Sequence, residues 1–404
     1  MNNEIKSPII EALKIEIENG YENSLDNFWN SIEENGAPLV ELIDNDEKNV
    51  LVTVVWKDEG DIETIAVFGE IFGTNTEETK LESLLEANLW YKTYKVPSDS
   101  RSLYVFFINE ELDAELEDID VRVDPLNKNL YICKDDADFP EEFCVLFKEE
   151  SMIEFPDFKM PSLVMENKEV EEGKIKYNNF QTNLGDRRAW LYTPASLIDS
   201  NESRGLVVFL DGWEYLFETK ANVILDNMIS EGLIPPVHAL FIDSRADRMG
   251  DFTFNDDFLN LVKNDLLNWA TTEVKIDRDP NKTVLVGFSL GSIMASYMAI
   301  KEPKIFGNVL SQSGAFYWEP SEDESKRNQI IKQFNRSKKE NIDFYLSIGN
   351  LERVHEEHFN ANLEMYKTLR DKGYNVSFEE NPGGHTNFDC AITLPQGLKS
   401  LLKK

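Results

Sequence analysis

Thr283-Val284-Leu285-Val286-Gly287-Phe288-Ser289-Leu290-Gly291 is a short apolar run that feeds a Gly-x-Ser-x-Gly, and Ile293-Met294-Ala295-Ser296-Tyr297-Met298-Ala299 continues from it with helical character. A strand that turns straight into a helix through such a sequence reads as a nucleophile elbow. The tight turn forces strained angles on the serine and brings neighbouring backbone close. The flanking positions must therefore be small, and the Ser289 hydroxyl projects from the strand end.

Working outward, strand and helix patterns alternate on both sides of the elbow. Arg187–Thr193, Gly205–Leu210 and Val237–Ile242 read as strands before it, with helices over Thr219–Ser230 and Phe258–Val274. Gly307–Ser311, Asp343–Gly349 and Asn375–Glu379 read as strands after it, with a long helix from about Phe359 to Lys372. Such alternation predicts a mostly parallel sheet covered on both faces, whose ligands bind beyond the carboxyl ends of its strands.

The front of the chain has a different period. Apolar residues at helical spacing (Ile10, Leu13, Ile17, then Leu25, Phe28, Trp29, Ile32) predict two short helices. Val50–Trp56, Thr64–Phe68, Leu89–Lys95 and Ser102–Ile108 then alternate as strands with polar turns between them, and Val123–Asn127 reads as a turn closing the unit. This pattern predicts a small, immunoglobulin-like β-sandwich. A segment rich in Pro, Glu and Lys follows, so the expected division is an N-terminal domain over 1–160 and an α/β-hydrolase domain over 161–404.

The chain carries a net charge of -34 over 404 residues. That argues against nucleic acid and anionic membrane as partners, because phosphate binding requires a basic face. No run approaches the ~20 apolar residues of a membrane span. The start, Met1-Asn2-Asn3-Glu4-Ile5-Lys6, lacks the basic-then-apolar pattern of an export signal, so a cytoplasmic location is expected. Cys133, Cys144 and Cys390 have no metal-ligand spacing and read as reduced thiols; no metal site is expected.

A serine hydroxyl needs a positioned base, usually a histidine oriented by a carboxylate. The chain has four histidines. His238 lies within a strand pattern, and His355 and His358 sit among Glu356 and Glu357 at a helix start, where solvated or capping roles are expected. His385 stands apart, in the loop Asn381-Pro382-Gly383-Gly384-His385 after the last strand, where the order serine, acid, histidine places the base. Glu352 is the first carboxylate after the preceding strand, with Glu356 and Glu357 as competitors. The amide of Leu290 is the expected oxyanion donor, joined by that of Gly212 or Trp213 from the loop Leu210-Asp211-Gly212-Trp213. The Trp213 ring reads either as a substrate-facing wall or as packing.

These stretches resemble the enterochelin esterases, esterase-D-like hydrolases with an added N-terminal domain. The resemblance is carried by Leu210-Asp211-Gly212, the elbow itself, Val309-Leu310-Ser311-Gln312-Ser313-Gly314, Phe316-Tyr317-Trp318 and Gly383-Gly384-His385. In the front half it is carried by Leu89-Trp90-Tyr91-Lys92-Thr93-Tyr94, Pro97-Ser98-Asp99 and Asp124-Pro125-Leu126-Asn127. It implies cytoplasmic hydrolysis of the trilactone esters of ferric catecholate siderophores such as enterobactin or bacillibactin, with no protein cofactor, the iron arriving with the substrate. A trianionic substrate calls for cations. The family's Arg-x-x-Glu-x-x-x-Asn run resembles Arg248-Met249-Gly250-Asp251 leading to Asn255, with Asp251 replacing the glutamate, which makes Arg248, with Arg245 beside it, the substrate-binding candidates. The alternative for both is an ion pair with Asp243, Asp247 or Asp251. The family's tryptophans after Gly-Gly-His are absent from His385-Thr386-Asn387-Phe388-Asp389-Cys390. That departure favours, as a second reading, an esterase for an aryl, acetyl or feruloyl ester.

Overall fold

The computed structural model describes residues 5–58, 60, 62–73, 75–84, 87–109, 119–138, 147–318 and 327–402. The chain divides into two compact units, Met1–Asp135 with Cys144–Lys159, and Asp136–Phe143 with Met160–Lys404.

The first unit opens with helices Pro8–Glu18 and Ser24–Asn35. Its strands are β1 (Leu39–Ile43), β2 (Asp46–Lys57), β3 (Ile65–Phe68), β4 (Glu82–Leu84), β5 (Leu89–Pro97), β6 (Arg101–Ile108), β7 (Asp120–Arg122), β8 (Leu130–Ile132) and β9 (Glu149–Glu154). They form two antiparallel sheets, β1-β2-β5-β4 and β3-β6-β9-β8, with β7 on β6. Val50, Val52, Val54 and Trp56 of β2 share one buried cluster with Ile65 and Val67 of β3, Tyr104, Phe106 and Ile108 of β6, and Ile153 of β9. The two sheets therefore pack face to face through alternate residues. Val55, Leu89 and Tyr91 point the other way, onto Ile10, Leu13, Phe28, Trp29 and Ile32 of the leading helices.

The turn after Val123 does not close this unit. Asp124 accepts hydrogen bonds from Tyr104 Oη (2.8 Å) and the Leu126 amide (2.9 Å), and its own amide donates to Ser151 Oγ (2.7 Å). That pins the turn between β6 and β9, and the chain returns for β8 and β9. Those strands carry little periodic signal because Leu130-Tyr131-Ile132 is short and Glu149-Glu150-Ser151-Met152-Ile153-Glu154 buries only Ser151 and Ile153 fully. Cys133 is buried, whereas Cys144 lies outside the described residues.

In the second unit the strands are β10 (Lys174–Thr182), β11 (Gly185–Thr193), β12 (Leu206–Leu210), β13 (His238–Ile242), β14 (Thr283–Phe288), β15 (Asn308–Gln312), β16 (Asp343–Gly349) and β17 (Asn375–Asn381). Among the described residues they form an eight-stranded sheet in the order β10-β11-β13-β12-β14-β15-β16-β17. β11 is antiparallel to both β10 and β13, and the remaining pairs are parallel. Leu206, Val208 and Leu210 face one core with Ile293, Met294, Met365 and Leu369 from helices Leu290–Lys301 and Glu356–Asp371. Val207 and Phe209 face the other, with Ile224, Leu225, Leu394 and Leu398 from helices Ala221–Ser230 and Cys390–Leu402. Burial on both faces explains why the central strands read as unbroken apolar runs.

Ser289 follows β14 at φ 53 and ψ -117, a backbone region that a side-chain-bearing residue seldom occupies. The Ser289 amide donates to Gln312 O (3.1 Å) and its carbonyl accepts from the Ala315 amide (3.0 Å), so the peptides on both sides are held. At Gly287 any Cβ would overlap the backbone of Gly291 and Ser292. Gly287→Ala should therefore destabilise the hydrolase unit by about 1–3 kcal/mol. Scanning calorimetry will read this as a lower melting transition, and an unchanged one would mean that the turn has room.

Candidate active site

Loops at the carboxyl ends of β12 to β17 meet around Ser289. His385, after β17, places Nε2 at 3.0 Å from Ser289 Oγ and Nδ1 at 2.7 Å from Glu352 Oε2. With the Nδ1 proton donated to the carboxylate, Nε2 presents its lone pair to the serine hydroxyl. Glu352 lies on the 3-10 turn Leu351–Val354 after β16 and is fully buried. Its Oε1 accepts from Ser313 Oγ (2.6 Å) and from the Gly349 amide (2.7 Å). Burial alone would raise its pKa, but the His385 charge and the contacts of His358 and His385 outweigh that and hold the carboxyl well below its usual range. Glu356 and Glu357 are exposed, and Glu357 pairs with Arg327 at 2.7 Å.

Two histidines depart from their expected settings to different degrees. His358 is not a solvated cap. It is buried, with Nε2 2.8 Å from Glu352 Oε2, and its ring stands edge-on to His385 (centroids 4.8 Å apart) and to Tyr317 (5.4 Å). His355 is half-buried; burial, then the charges of His385 and His358, lower its pKa. His238 begins β13 in the core, where burial pushes its pKa down to about 4.

Leu290 is the first residue of its helix and Gly212 the first of helix Gly212–Phe217. Amides in a first helical turn have no acceptor within the helix, so Leu290, Gly212 and Trp213 each offer an N–H at the strand ends. The Trp213 ring is a different matter from its amide. It is buried, packed against Phe217 (5.2 Å) and covered by the Arg245 guanidinium 3.6 Å from its centroid. Its ring is thus packing and not a wall open to substrate.

The arginines are paired, though mostly not with the acids named above. Arg245 is 3% exposed and donates to Glu214 (2.9 Å), with Asp136 at 3.6 Å, so burial removes it from the substrate-binding set. Arg248 is 30% exposed and grips Asp211 through Nε (2.7 Å) and Nη2 (2.8 Å), with Nη2 also 3.3 Å from Phe288 O. Asp251 is taken by Arg187 in a two-bond pair, Asp243 by Arg188, and Asp247 caps the Gly250 amide. Arg248 thereby links the residue before Gly212 to the residue before Ser289. Asn255 caps the helix Asp256–Leu261.

Ser313 and His358 are the functional contacts that sequence reading misses. Ser313 lies within a quoted stretch, but its grip on Glu352 depends on β15 and β16 being neighbours. Glu352, His358 and His385 also bring one oxygen and two nitrogens within 4.8 Å of one another, a set able to hold a divalent metal, although here both histidines are engaged with the carboxylate. Among the described residues no helix is long and apolar enough to cross a membrane.

A serine, a histidine and a glutamate joined at the strand ends of this sheet are the arrangement of the α/β-hydrolases. Residues 183–400 match the Esterase family model. The chain belongs to the Esterase family, and its similarities within that family lie with the enterochelin esterases. It is 27% identical over 332 residues to the iron(III) enterobactin esterase of Dickeya dadantii, covering 72% of this chain and 71% of that one. It is 23% identical over 406 residues to the iron(III) salmochelin esterase of Escherichia coli, covering 91% and 94%. The crystal structure of the Shigella flexneri enterobactin esterase in the presence of enterobactin superposes with a TM-score of 0.73 at 21% identity, over 92% of this chain and 97% of that one, which shows a common fold.

Proposed function

We propose that this protein is a cytoplasmic serine esterase that opens the trilactone of a ferric catecholate siderophore and so releases its iron. The observation that carries the chemistry is the unbroken chain from Ser289 Oγ through His385 to Glu352, at 3.0 and 2.7 Å. Similarity to the two named siderophore esterases, in one case over nearly the full length, supports the substrate class. The N-terminal unit is assigned as an immunoglobulin-like sandwich, on the strength of its two antiparallel sheets and shared core. No nucleic-acid, membrane or cofactor partner is invoked.

In this reading Ser289 Oγ attacks an ester carbonyl while His385 Nε2 takes its proton, and Glu352 steadies the imidazolium that forms. The Leu290 amide, with that of Gly212 or Trp213, receives the charge on the carbonyl oxygen. His385 returns the proton to the leaving serine or threonine hydroxyl, and water then attacks the acyl-enzyme by the same route. Arg248, partly exposed beside the elbow, is the cation assigned to meet the incoming trianion.

One observation favours a second reading. Asp211 matches the charge of Arg248 and Arg245 is buried, so these two arginines, among the described residues, supply no surplus of the positive charge that a trianion would seek. A carboxylesterase acting on an aryl, acetyl or feruloyl ester suits that balance. Mass spectrometry of ferric and iron-free enterobactin and bacillibactin, beside an activated aryl ester, separates the two. The siderophore reading expects linear products from the ferric trilactones, and it fails if only the simple ester is cleaved.

A further inference from the structure

His358 has no place in the three-residue mechanism, yet it is buried against it. Its Nε2 lies 2.8 Å from Glu352 Oε2, the oxygen that also accepts from His385 Nδ1 at 2.7 Å. The Nε2 contact is close but lacks straight hydrogen-bond alignment, and among the described residues no other partner meets this nitrogen. The ring stands at 87° to that of His385 and at 90° to that of Tyr317. Helix Glu356–Asp371 is itself anchored there, because Asn362 Nδ2 donates to Gly314 O (2.7 Å) in the loop that carries Ser313. Four groups thus converge on one carboxylate: Ser313 and Gly349 at Oε1, His385 and His358 at Oε2.

We infer that His358 is a positioning residue for the reaction, a second histidine on the triad acid that holds Glu352 and limits how strongly that acid favours the His385 imidazolium. With its proton on Nε2, a ring nitrogen 2.8 Å from Oε2 draws charge from the oxygen that His385 relies on. His385 then remains a weaker base and, once protonated, a better donor to the leaving alkoxide. Other titratable groups coupled to this cluster are His355 from the turn after β16, Tyr317 from the loop after β15, itself facing Glu357 at the helix start, and Cys390 at the start of the last helix. None of these comes from the elbow, so replacing His358 alters the acid without touching the nucleophile.

The inference rests on Ser289, His385 and Glu352 being the reacting set, and the test keeps the two apart. His358→Phe retains a ring against Tyr317 and His385 but carries no nitrogen, whereas His358→Gln retains a donor. Active sites are first counted by fluorophosphonate labelling, and kcat/KM per labelled site is then followed against pH. The Phe variant should move the acid limb to higher pH by about half a unit or more, and the Gln variant should return it toward the parent. An unmoved limb in the Phe variant overturns the role of His358, as does a uniform fall at every pH in both variants. Failure of the parent protein to label at all overturns the esterase reading instead. If the Phe variant does not fold, the Gln variant with an unshifted profile and His358→Asn with a raised limb support the inference, and two unshifted profiles sink it.

Discussion

Ser289→Ala should lower kcat for ester hydrolysis by at least about 10⁴-fold and abolish fluorophosphonate labelling. The loss follows from the geometry: Oγ is the atom 3.0 Å from His385 Nε2, and removing it leaves the imidazole nothing to activate. What survives is expected from the amides proposed as oxyanion donors, Leu290 and its partner in the Gly212 loop, which would polarise a carbonyl without attacking it. The fold should be retained, because the strained turn is held by backbone bonds from Ser289 to Gln312 and Ala315 that an alanine makes equally well. Melting temperature and circular dichroism should therefore match the parent within a few degrees, and turnover within tenfold of the parent would remove Ser289 from the nucleophile's role.

Glu352→Gln is the second large effect, and its sign comes from counting donors. The carboxylate accepts from Ser313, Gly349 and His385 and touches His358. An amide in its place must turn an NH₂ toward one pair or the other. Facing Gly349 it opposes a fixed N–H; facing His385 it requires Nδ1 to give up its proton, which then sits on Nε2 and faces Ser289. The first outcome strains the Gly349 contact and unsettles the side chain, and the second puts the proton on Nε2 and disables the base; a loss of up to about 10⁴-fold in kcat is expected, easing as pH rises. Glu356→Gln and Glu357→Gln, both at exposed sites, should stay within about threefold of the parent, a margin equivalent to well under 1 kcal/mol. Equal losses at all three positions would mean that the acid has been misassigned.

Much of this site was legible because its parts are local. The elbow is a sequence pattern, and Glu352 and His385 each follow a strand within four residues. His358 was not legible, since six residues beyond Glu352 it is separated from it by a 3-10 turn and a helix start, and only the bend of that turn brings the ring back. The ion-pair partners of the arginines were not legible for a related reason. Neighbouring aspartates in sequence looked like natural partners, but Asp211 reaches Arg248 because β12 and β13 are parallel neighbours, which sends both following loops to one end of the sheet. In the front half, β8 and β9 escaped notice because β8 is an edge strand of three residues and half of β9 is acidic, so neither shows clear alternation.

Arg188 has a bearing on how the chain can be cut. Its guanidinium meets Asp243 (2.6 Å) from within the hydrolase sheet and Asp136 (2.5 Å) from a stretch that precedes β9 in sequence. Excising 161–404 would carry Arg188 and Arg245 away but leave Asp136 behind, thinning the negative charge around two buried cations that would keep only Asp243 and Glu214 as partners, a loss that should weaken the excised unit. The hydrolase half is in this sense threaded through its neighbour's sequence, and its autonomy depends on one aspartate encoded before the apparent boundary.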